Sequence, residues 1–400
     1  MIIRILCILL SLCLLCSCGT SPSAVQPLPE VSEPEESPLP SVYILPEGGL
    51  TLEETVYVYF DQQYRSYAAC QDIDLRAILD THMPSIRNGI QWSAMLNQRR
   101  RLLKEMDLCY VETEMFPYTI RFLSEEELND DRLRYWNAEE LTAHGEVMLH
   151  FVVEGEKGYA YPPIMAVNAQ HTMRFYQENG VWKLMFHYFP GAVRKFMRED
   201  SFRSYSDEEM RQKLQEEFAP VDVTKVSAAA PAPENAVVYR AEDAAAYAKQ
   251  YSEYYNDDFY LIDDWMGDCA NFTSQCIWSG FPQNAMDAQW YAGDGGGSPA
   301  WENVDYFWTY AFSGNSLVGQ EIGGIDDART GDLIQTSASG ISVTDRTDDE
   351  NHFNHSLMIV DSEKWILAQH SPGNFLYYSD LVNVKTRIFR PRYLHSYTGV

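Results

Sequence analysis

One cysteine in the last third of the chain stands where a thiol could act as a nucleophile. Gly267 and Asp268 lead into Cys269, and the residues that follow have the pattern of an amphipathic helix. Asp268 is a good candidate for the N-cap, since its carboxylate could accept hydrogen bonds from first-turn amides. Cys269 would then lie in the first turn, where free amides and the helix dipole favour an anion. This setting predicts a thiol of lowered pKa that attacks as a thiolate.

Burial is the commonest fate of a free cysteine, so a small core residue is the alternative interpretation of Cys269. Cys276 shares a helical face with Cys269 and is expected to be such a buried residue. Asn271 and Gln275 form a polar pair one turn apart on the same helix.

Two histidines further along the chain could supply the base that the thiol needs. His355 stands at the entrance of an apolar run, 357–360, which predicts a central strand. If the following hairpin is centred between residues 362 and 363, His355 and His370 are directly opposed, with Cβ atoms about 5 Å apart. A two- or four-residue loop preserves this pairing, and a three-residue loop breaks it. In the paired register His370 orients His355 as the third member of a Cys-His-polar triad; the alternative is a mutually satisfied structural pair.

Other elements of the C-terminal region would hold these residues in place. Helices are predicted from Ala241 to about Asn256 and over about 301–312, and the run 330–335 predicts a short strand after a turn. The glycine run 293–298 lacks the Lys-Ser/Thr ending of a phosphate-binding loop, so it predicts a connector.

The region 49–218 predicts a small α+β domain with an antiparallel sheet and a trailing helix. A boundary follows at 219–236, where an Ala/Pro-rich linker is predicted. Four histidines in this region are interpreted as core or surface residues rather than ligands: His144, His150, His171 and His187. The predicted elements are helices from Thr51 and over 73–80, 92–104 and 193–218, and strands over 108–122, 145–154, 164–176 and 181–188, with a hairpin turn at 178–180.

The N-terminus has the pattern of a secretory leader. Residues 1–15 carry one basic residue, Arg4, followed by an apolar run that is too short to span a bilayer. The sequence Leu-Cys-Ser-Cys that ends at Cys18 resembles the lipobox of bacterial lipoproteins. The resemblance implies a signal peptide over 1–17, lipidation of Cys18 and a location at the extracytoplasmic face of the cell membrane; an ordinary secretory peptide is the alternative. The Pro-, Ser- and Glu-rich stretch 18–48 predicts a disordered tether.

The composition limits the classes of partner. The 400 residues are 46% hydrophobic and carry a formal net charge of -28, which argues against nucleic acid and against adhesion to anionic lipid through charge. Four of the eight cysteines lie within the first 18 residues, and the rest show no spacing typical of zinc ligands. A disulfide between Cys70 and Cys109 is left open by their spacing.

Several motifs in the region 237–400 together resemble a known family. A Tyr-rich helix, Gly-Asp-Cys-x-Asn-Phe-x-Ser-Gln-Cys, Gly-Asp-Leu-Ile-Gln, Asn-x-x-His-Ser and Gln-His-Ser occur in that order. They are similar to the amidase domain of bacterial cell-surface proteins, which is allied to papain-like, NlpC-type and CHAP-type cysteine peptidases. The resemblance implies a papain-like α+β fold, with Cys269 as nucleophile, His355 as general base and acid, and His370 as the orienting residue.

The expected function is a surface-anchored cysteine amidase or endopeptidase that needs no cofactor and acts on cell-wall peptide. The backbone amide of Cys269 would hold the oxyanion together with a second donor that the sequence does not identify. The alternative is a non-catalytic surface lipoprotein that uses an amidase-like fold for binding or scaffolding. Transpeptidation through the same thioester stays open, since only the acceptor differs.

Overall fold

The computed structural model describes most of the chain beyond residue 38, and residues 39–400 form one compact unit. The predicted leader, Cys18 and His144 lie outside the described residues, as do most of the predicted tether and linker. The described residues are 39–124, 127–128, 145–189, 204–219, 231–260, 262, 267–282, 285–293, 295–313, 316–337, 353–370, 374–382 and 384–395.

The first two helices lie N-terminal to a small sheet. Helix α1 spans Leu52–Ala69 and begins with a capping box, in which Thr51 and Glu54 satisfy each other's backbone amides. Helix α2 spans Pro84–Glu105 and has proline in its first turn. The helix predicted over 73–80 is wrong: these residues form turns, and Leu79 bridges to Leu184 of the sheet.

Four antiparallel strands follow in the order of the chain. They are β1 (Tyr118–Phe122), β2 (Glu146–Gly155), β3 (Gln170–Glu178) and β4 (Val181–Tyr188). Asn179 and Gly180 have φ values of 51° and 82°, which is the backbone that a two-residue hairpin turn requires. The predicted hairpin and four-stranded order are therefore confirmed, although β1 is much shorter than the predicted 108–122.

The C-terminal half contains a seven-stranded sheet. The elements after β4 are α3 (Asp207–Glu217), β5 (Val237–Val238), α4 (Ala241–Tyr251), α5 (Cys269–Ser279), β6 (Ala292–Gly293), β7 (Gly296–Gly297), α6 (Pro299–Glu302), α7 (Val304–Ala311), β8 (Leu317–Ile322), β9 (Leu333–Ser337), β10 (Phe353–Asp361), β11 (Ile366–Gln369), β12 (Asn374–Tyr377) and β13 (Thr386–Leu394). The strand order of the seven-stranded sheet is β12-β11-β10-β9-β13-β5, and β8 also pairs with β13. Strand β10 lies between β9 and β11, so its predicted central position is confirmed.

The single helix predicted over 301–312 is two helices. Asn303, with φ -129° and ψ 133°, ends α6 and begins α7. Its side-chain oxygen accepts hydrogen bonds from the amides of Asp305 and Tyr306, each at 3.0 Å. An N-cap of this kind interrupts a helical pattern without interrupting its apolar spacing.

Both faces of the larger sheet are covered. Met358 and Ala368 belong to an apolar cluster that includes residues of α4, α5 and α7. Leu357 and Leu367 face the other way and join a cluster with α1, α2 and the small sheet. The fold is therefore mixed α and β with antiparallel sheets, and its two halves share one of these cores. The boundary predicted at 219–236 stays a prediction.

A buried ion pair also joins the two halves. Arg100 of α2 donates to Asp380 at 2.7 Å, and both side chains are fully buried. Asp380 ends a 3-10 turn, Tyr378–Asp380, directly after β12. Tyr67 of α1 donates to the same carboxylate at 2.8 Å. Within the described residues, no helix combines the length and the apolar character that crossing a bilayer requires.

Candidate active site

Cys269 is the first residue of α5, as predicted, and its side chain is buried, with 5% of the residue exposed. Its Sγ lies 3.9 Å from the carbonyl oxygen of Asn354 and also accepts a hydrogen bond from the backbone amide of Ser356. The thiol therefore contacts the backbone of β10 on both sides of residue 355. Cys70, Cys109 and Cys276 are likewise free thiols.

The predicted lowering of the thiol pKa is wrong for this arrangement. Burial and the nearby charge of Asp268 raise the pKa of Cys269 to about 11, although the amides of Ser356, Ala270 and Cys269 oppose the shift. Asp268 occupies the N-cap position as predicted, but the predicted hydrogen bonds from first-turn amides to its carboxylate are absent. The backbone amides of Cys269 and Ala270 in the first turn donate to Sγ of Cys269 instead. The resting group at neutral pH is therefore a thiol that needs a base.

His355 is oriented by a glutamine. Its Nε2 lies 2.7 Å from Oε1 of Gln369, and the amide of Gln369 donates in turn to Oδ1 of Asn374 at 2.7 Å. Because the amide oxygen of Gln369 is an acceptor, the Nε2 of His355 carries a proton, and Nδ1 is the basic ring nitrogen. His355 and Gln369 are both buried.

The predicted pairing of His355 with His370 is wrong. In the hairpin, Met358 lies opposite Ala368 and Ile359 opposite Leu367, one residue out of the predicted register, and an irregularity follows toward Asp361. A shift of one residue moves every side chain to the other face of the sheet. His355 therefore shares its face with Gln369, whereas His370 shares the opposite face with Ala368.

His370 instead holds the residue that precedes the nucleophile. Its Nδ1 lies 2.6 Å from Oδ2 of Asp268, and its Nε2 lies 2.7 Å from the carbonyl oxygen of Tyr251. The ring stacks on Phe272 of α5, with centroids 4.0 Å apart. Both ring nitrogens thus have partners other than His355. A second acid-base pair, Asp268 and His370, lies directly behind the start of α5.

A buried polar network continues from Asp268 along α5. Oδ1 of Asp268 accepts a hydrogen bond from the side-chain amide of Asn271 at 2.7 Å. Oδ1 of Asn271 accepts from the indole of Trp301 at 2.8 Å and from Gln275 at 3.1 Å. The predicted pair of Asn271 and Gln275 is thereby confirmed, and Asn271 fixes the helix start rather than facing outward.

Gln369 was missed by reasoning from the sequence, although it stands in the Gln-His-Ser motif. The signal that could have found it is the parity of the hairpin loop. A shift of one residue exchanges His370 for Gln369 as the neighbour of His355, and a carboxamide is as able as an imidazole to accept a ring N–H.

The alkylation of Cys269 is expected to follow its raised pKa. With a pKa of about 11, about one thiol in ten thousand is ionised at pH 7, and the thiolate is the species that reacts. The rate of modification by iodoacetamide, read at the Cys269 peptide by mass spectrometry, should rise about tenfold per pH unit from pH 7 to 10. The Cys269→Ser variant identifies the signal. A rate that levels off below pH 8 would show a lowered pKa instead.

The comparison with known families covers the region of the candidate site. Residues 238–389 match the family model described as "Putative amidase domain". No curated protein and no solved structure is matched by the chain. The matched range includes Cys269, His355, Gln369 and His370, so the residues of the candidate site lie in the part of the chain that is similar to this family.

Proposed function

We propose that this chain is a cysteine amidase or endopeptidase with a papain-like catalytic arrangement. Cys269 is the nucleophile, His355 the general base and acid, and Gln369 the residue that orients His355. The observation that carries the proposal is the contact of the Cys269 thiol with the backbone on both sides of a histidine whose Nε2 is held by Gln369. This arrangement revises the predicted triad, in which His370 had the orienting role.

The reaction begins from a protonated thiol. As Sγ of Cys269 attacks the amide carbonyl carbon, Nδ1 of His355 accepts the thiol proton. The same nitrogen then protonates the leaving amine, the C–N bond breaks, and a thioester remains. Water attacks the thioester with His355 as base, which releases the acid and restores the thiol. An amine acceptor in place of water would give transpeptidation.

The developing negative charge falls near the start of α5. The backbone amide of Cys269 lies in the first turn, where it can donate to the oxyanion of the tetrahedral intermediate. A single donor of this kind contributes about 3 kcal/mol in the transition state. The hydrogen bond from Nδ1 of His370 to Oδ2 of Asp268 stabilises the carboxylate, whose charge otherwise opposes formation of a thiolate next to it.

The proposed substrate is cell-wall peptide, and the proposed location is the outer face of the cell membrane. Both rest on the leader, the lipobox-like Cys18 and the tether composition of the sequence. A lipidated Cys18 as first mature residue would place the domain next to the wall. The intact mass of the mature N-terminus tests the anchor, and cleavage before any other residue would contradict it.

A second candidate function is binding without catalysis. The raised pKa and the burial of Cys269 favour it, because a protonated, enclosed thiol is what a retained but inactive site would contain. Measurement of catalytic turnover distinguishes the two candidate functions, because only an amidase releases amino groups from its substrate.

Replacement of Gln369 by leucine is expected to lower kcat about 10- to 100-fold, because a misplaced catalytic group costs on this order. The substrate is purified cell wall, and the full chain is used because both halves share one core. Free amino groups released per minute are measured against substrate concentration. KM should change little, since Gln369 acts through His355.

Gln177→Leu, at an exposed glutamine, is the matched control. Absence of any release by the unaltered chain would favour the binding candidate.

A further inference from the structure

Arg387 of β13 is a partly buried cation close to the candidate active site. Its guanidinium carbon lies 4.2 Å from the ring centroid of Trp308 and 4.1 Å from that of Phe353. Phe353 packs in turn against the apolar cluster that contains Cys269. One aromatic side chain therefore joins the surroundings of Arg387 to those of the thiol.

The strand pairing places Arg387 in line with the residue that contacts the thiol. Gln335 of β9 lies opposite Arg387 on one side and opposite Ser356 of β10 on the other, and residues directly opposite each other project from the same face of a sheet. The side chain of Gln335 accepts from Nε of Arg387 at 2.7 Å and donates to Oγ of Ser356 at 3.4 Å. The backbone amide of Ser356 donates to Sγ of Cys269. Arg387 therefore projects from the face of the sheet that α5 covers.

The guanidinium of Arg387 keeps hydrogen-bonding capacity that the described residues do not use. Nε donates to Gln335, and Nη2 donates to Asp305 at 2.9 Å. No group among the described residues accepts from Nη1, and this nitrogen is not among the enclosed atoms that lack a partner, so it is open to solvent. Because two aromatic rings contact the flat faces of the guanidinium, a ligand reaches it at the N–H edge around Nη1.

The positive charge of Arg387 is compensated only in part. Its counter-ion, Asp305, has 41% of its side chain exposed, whereas only 16% of the Arg387 side chain is exposed. Burial lowers the pKa of Arg387, although Asp305 and Glu321 oppose the shift. Arg390 on the same strand differs, because the carboxylate of Asp332 is buried and accepts from both its Nε and its Nη2. Arg390 thus has a structural partner, and Arg387 can accommodate a further anion.

We propose that Arg387 binds a carboxylate of the substrate next to Cys269, so that peptides with a free carboxylate close to the scissile amide are the preferred substrates. The proposal rests on the amidase function proposed above. The unused N–H groups of Nη1 and Nη2 donate to the carboxylate oxygens, and charge-assisted hydrogen bonds of this kind are stronger than those to a neutral amide. The two aromatic rings hold the guanidinium in the orientation that presents this edge.

Alkylation of Cys269 by a matched pair of reagents tests carboxylate binding without any turnover. N-iodoacetylglycine carries a carboxylate one residue from its reactive carbon, and N-iodoacetylglycinamide carries a neutral carboxamide at the same place. In the full chain at about pH 9, the acid-to-amide ratio of rates at the Cys269 peptide should exceed the ratio measured with glutathione at least about tenfold. Equal ratios for the unaltered chain and glutathione would overturn the proposal.

Variants of Arg387 assign the effect to its side chain. Arg387→Met should lower the ratio to that of glutathione, and Arg387→Lys should give an intermediate ratio, because lysine keeps the charge but not the planar edge. The rate with N-iodoacetylglycinamide should stay nearly unchanged in both variants. Arg392→Met is the matched control, since Arg392 lies on the same strand with an exposed side chain. A fall of both rates in Arg387→Met would show that Arg387 acts on the thiol instead of on a carboxylate, and would also overturn the proposal.

Cell wall whose carboxylates have been converted to carboxamides separates this preference from the proposed function. The unaltered chain should release amino groups from native wall with a kcat/KM at least about tenfold above that for the amidated wall, and Arg387→Met should treat the two alike. Equal release from both walls by the unaltered chain would contradict the role of Arg387. Absence of release from either wall would contradict the amidase function instead, and the alkylation ratio would still decide whether Arg387 binds a carboxylate.

Discussion

Replacement of Cys269 by alanine is expected to lower the release of amino groups from cell wall by about four orders of magnitude or more, because the variant has no atom that can form the thioester. His355→Ala should cost a similar factor, since a thiol with a pKa of about 11 is not ionised without its base. The double variant should be about as slow as each single variant, because residues that act as one unit are not additive. Initial rates at saturating substrate measure all three.

Cys276→Ala is the matched control for the first prediction. Cys276 lies on the same helix, is fully buried and is a free thiol, so its replacement removes an equivalent group away from His355. Its activity should stay within a few-fold of the unaltered chain. Activity that survives in Cys269→Ala would disprove a cysteine mechanism, and equal loss in both variants would indicate a general loss of packing in α5.

Replacement of Asp380 by alanine is expected to lower the free energy of unfolding by about 3–5 kcal/mol, because the charge of Arg100 would remain buried without its partner. Arg100 and Asp380 are both fully buried and 2.7 Å apart. Tyr67 would lose the same acceptor. Urea denaturation followed by tryptophan fluorescence measures the change, provided that the m-value stays constant.

The double variant Arg100→Met with Asp380→Leu separates the lost pair from the stranded charge. It should recover much of the stability lost in Asp380→Ala, since apolar side chains of similar size can replace a buried ion pair. Glu127→Ala provides a surface control, because Glu127 pairs with Arg121 at 2.9 Å with both side chains about half exposed. That change should leave the free energy of unfolding nearly unchanged, because solvent screens an exposed ion pair. A similar small loss in Asp380→Ala would show that water reaches Arg100.

The buried pair also connects the N-terminal half with the candidate site. Asp380 ends the 3-10 turn that follows β12, and β12 pairs with β11, where Asn374 lies opposite Gln369. Loss of the pair removes a support at one end of the strand that positions Asn374. This connection is a physical reason for assaying the full chain instead of the region 237–400.

Local features of the sequence were sufficient to predict several helices and turns. Thr51 and Glu54 form a capping box within four residues, and Asn179-Gly180 encode a two-residue turn between alternating strands. In each case the interacting groups are close in the chain, so their spacing determines the geometry.

The sequence by itself therefore determined that Cys269 begins a helix, that His355 enters a central strand and that an antiparallel hairpin follows. Only the tertiary structure decided which residue orients His355, because a register shift of one residue exchanges His370 for Gln369. It also decided the state of the thiol, since burial raises the pKa of Cys269 and the residues packed around it include Val304 of α7 and Phe353 of β10, which are distant in the chain. Alternating patterns specify the faces of a strand, whereas pairing and burial depend on the whole fold.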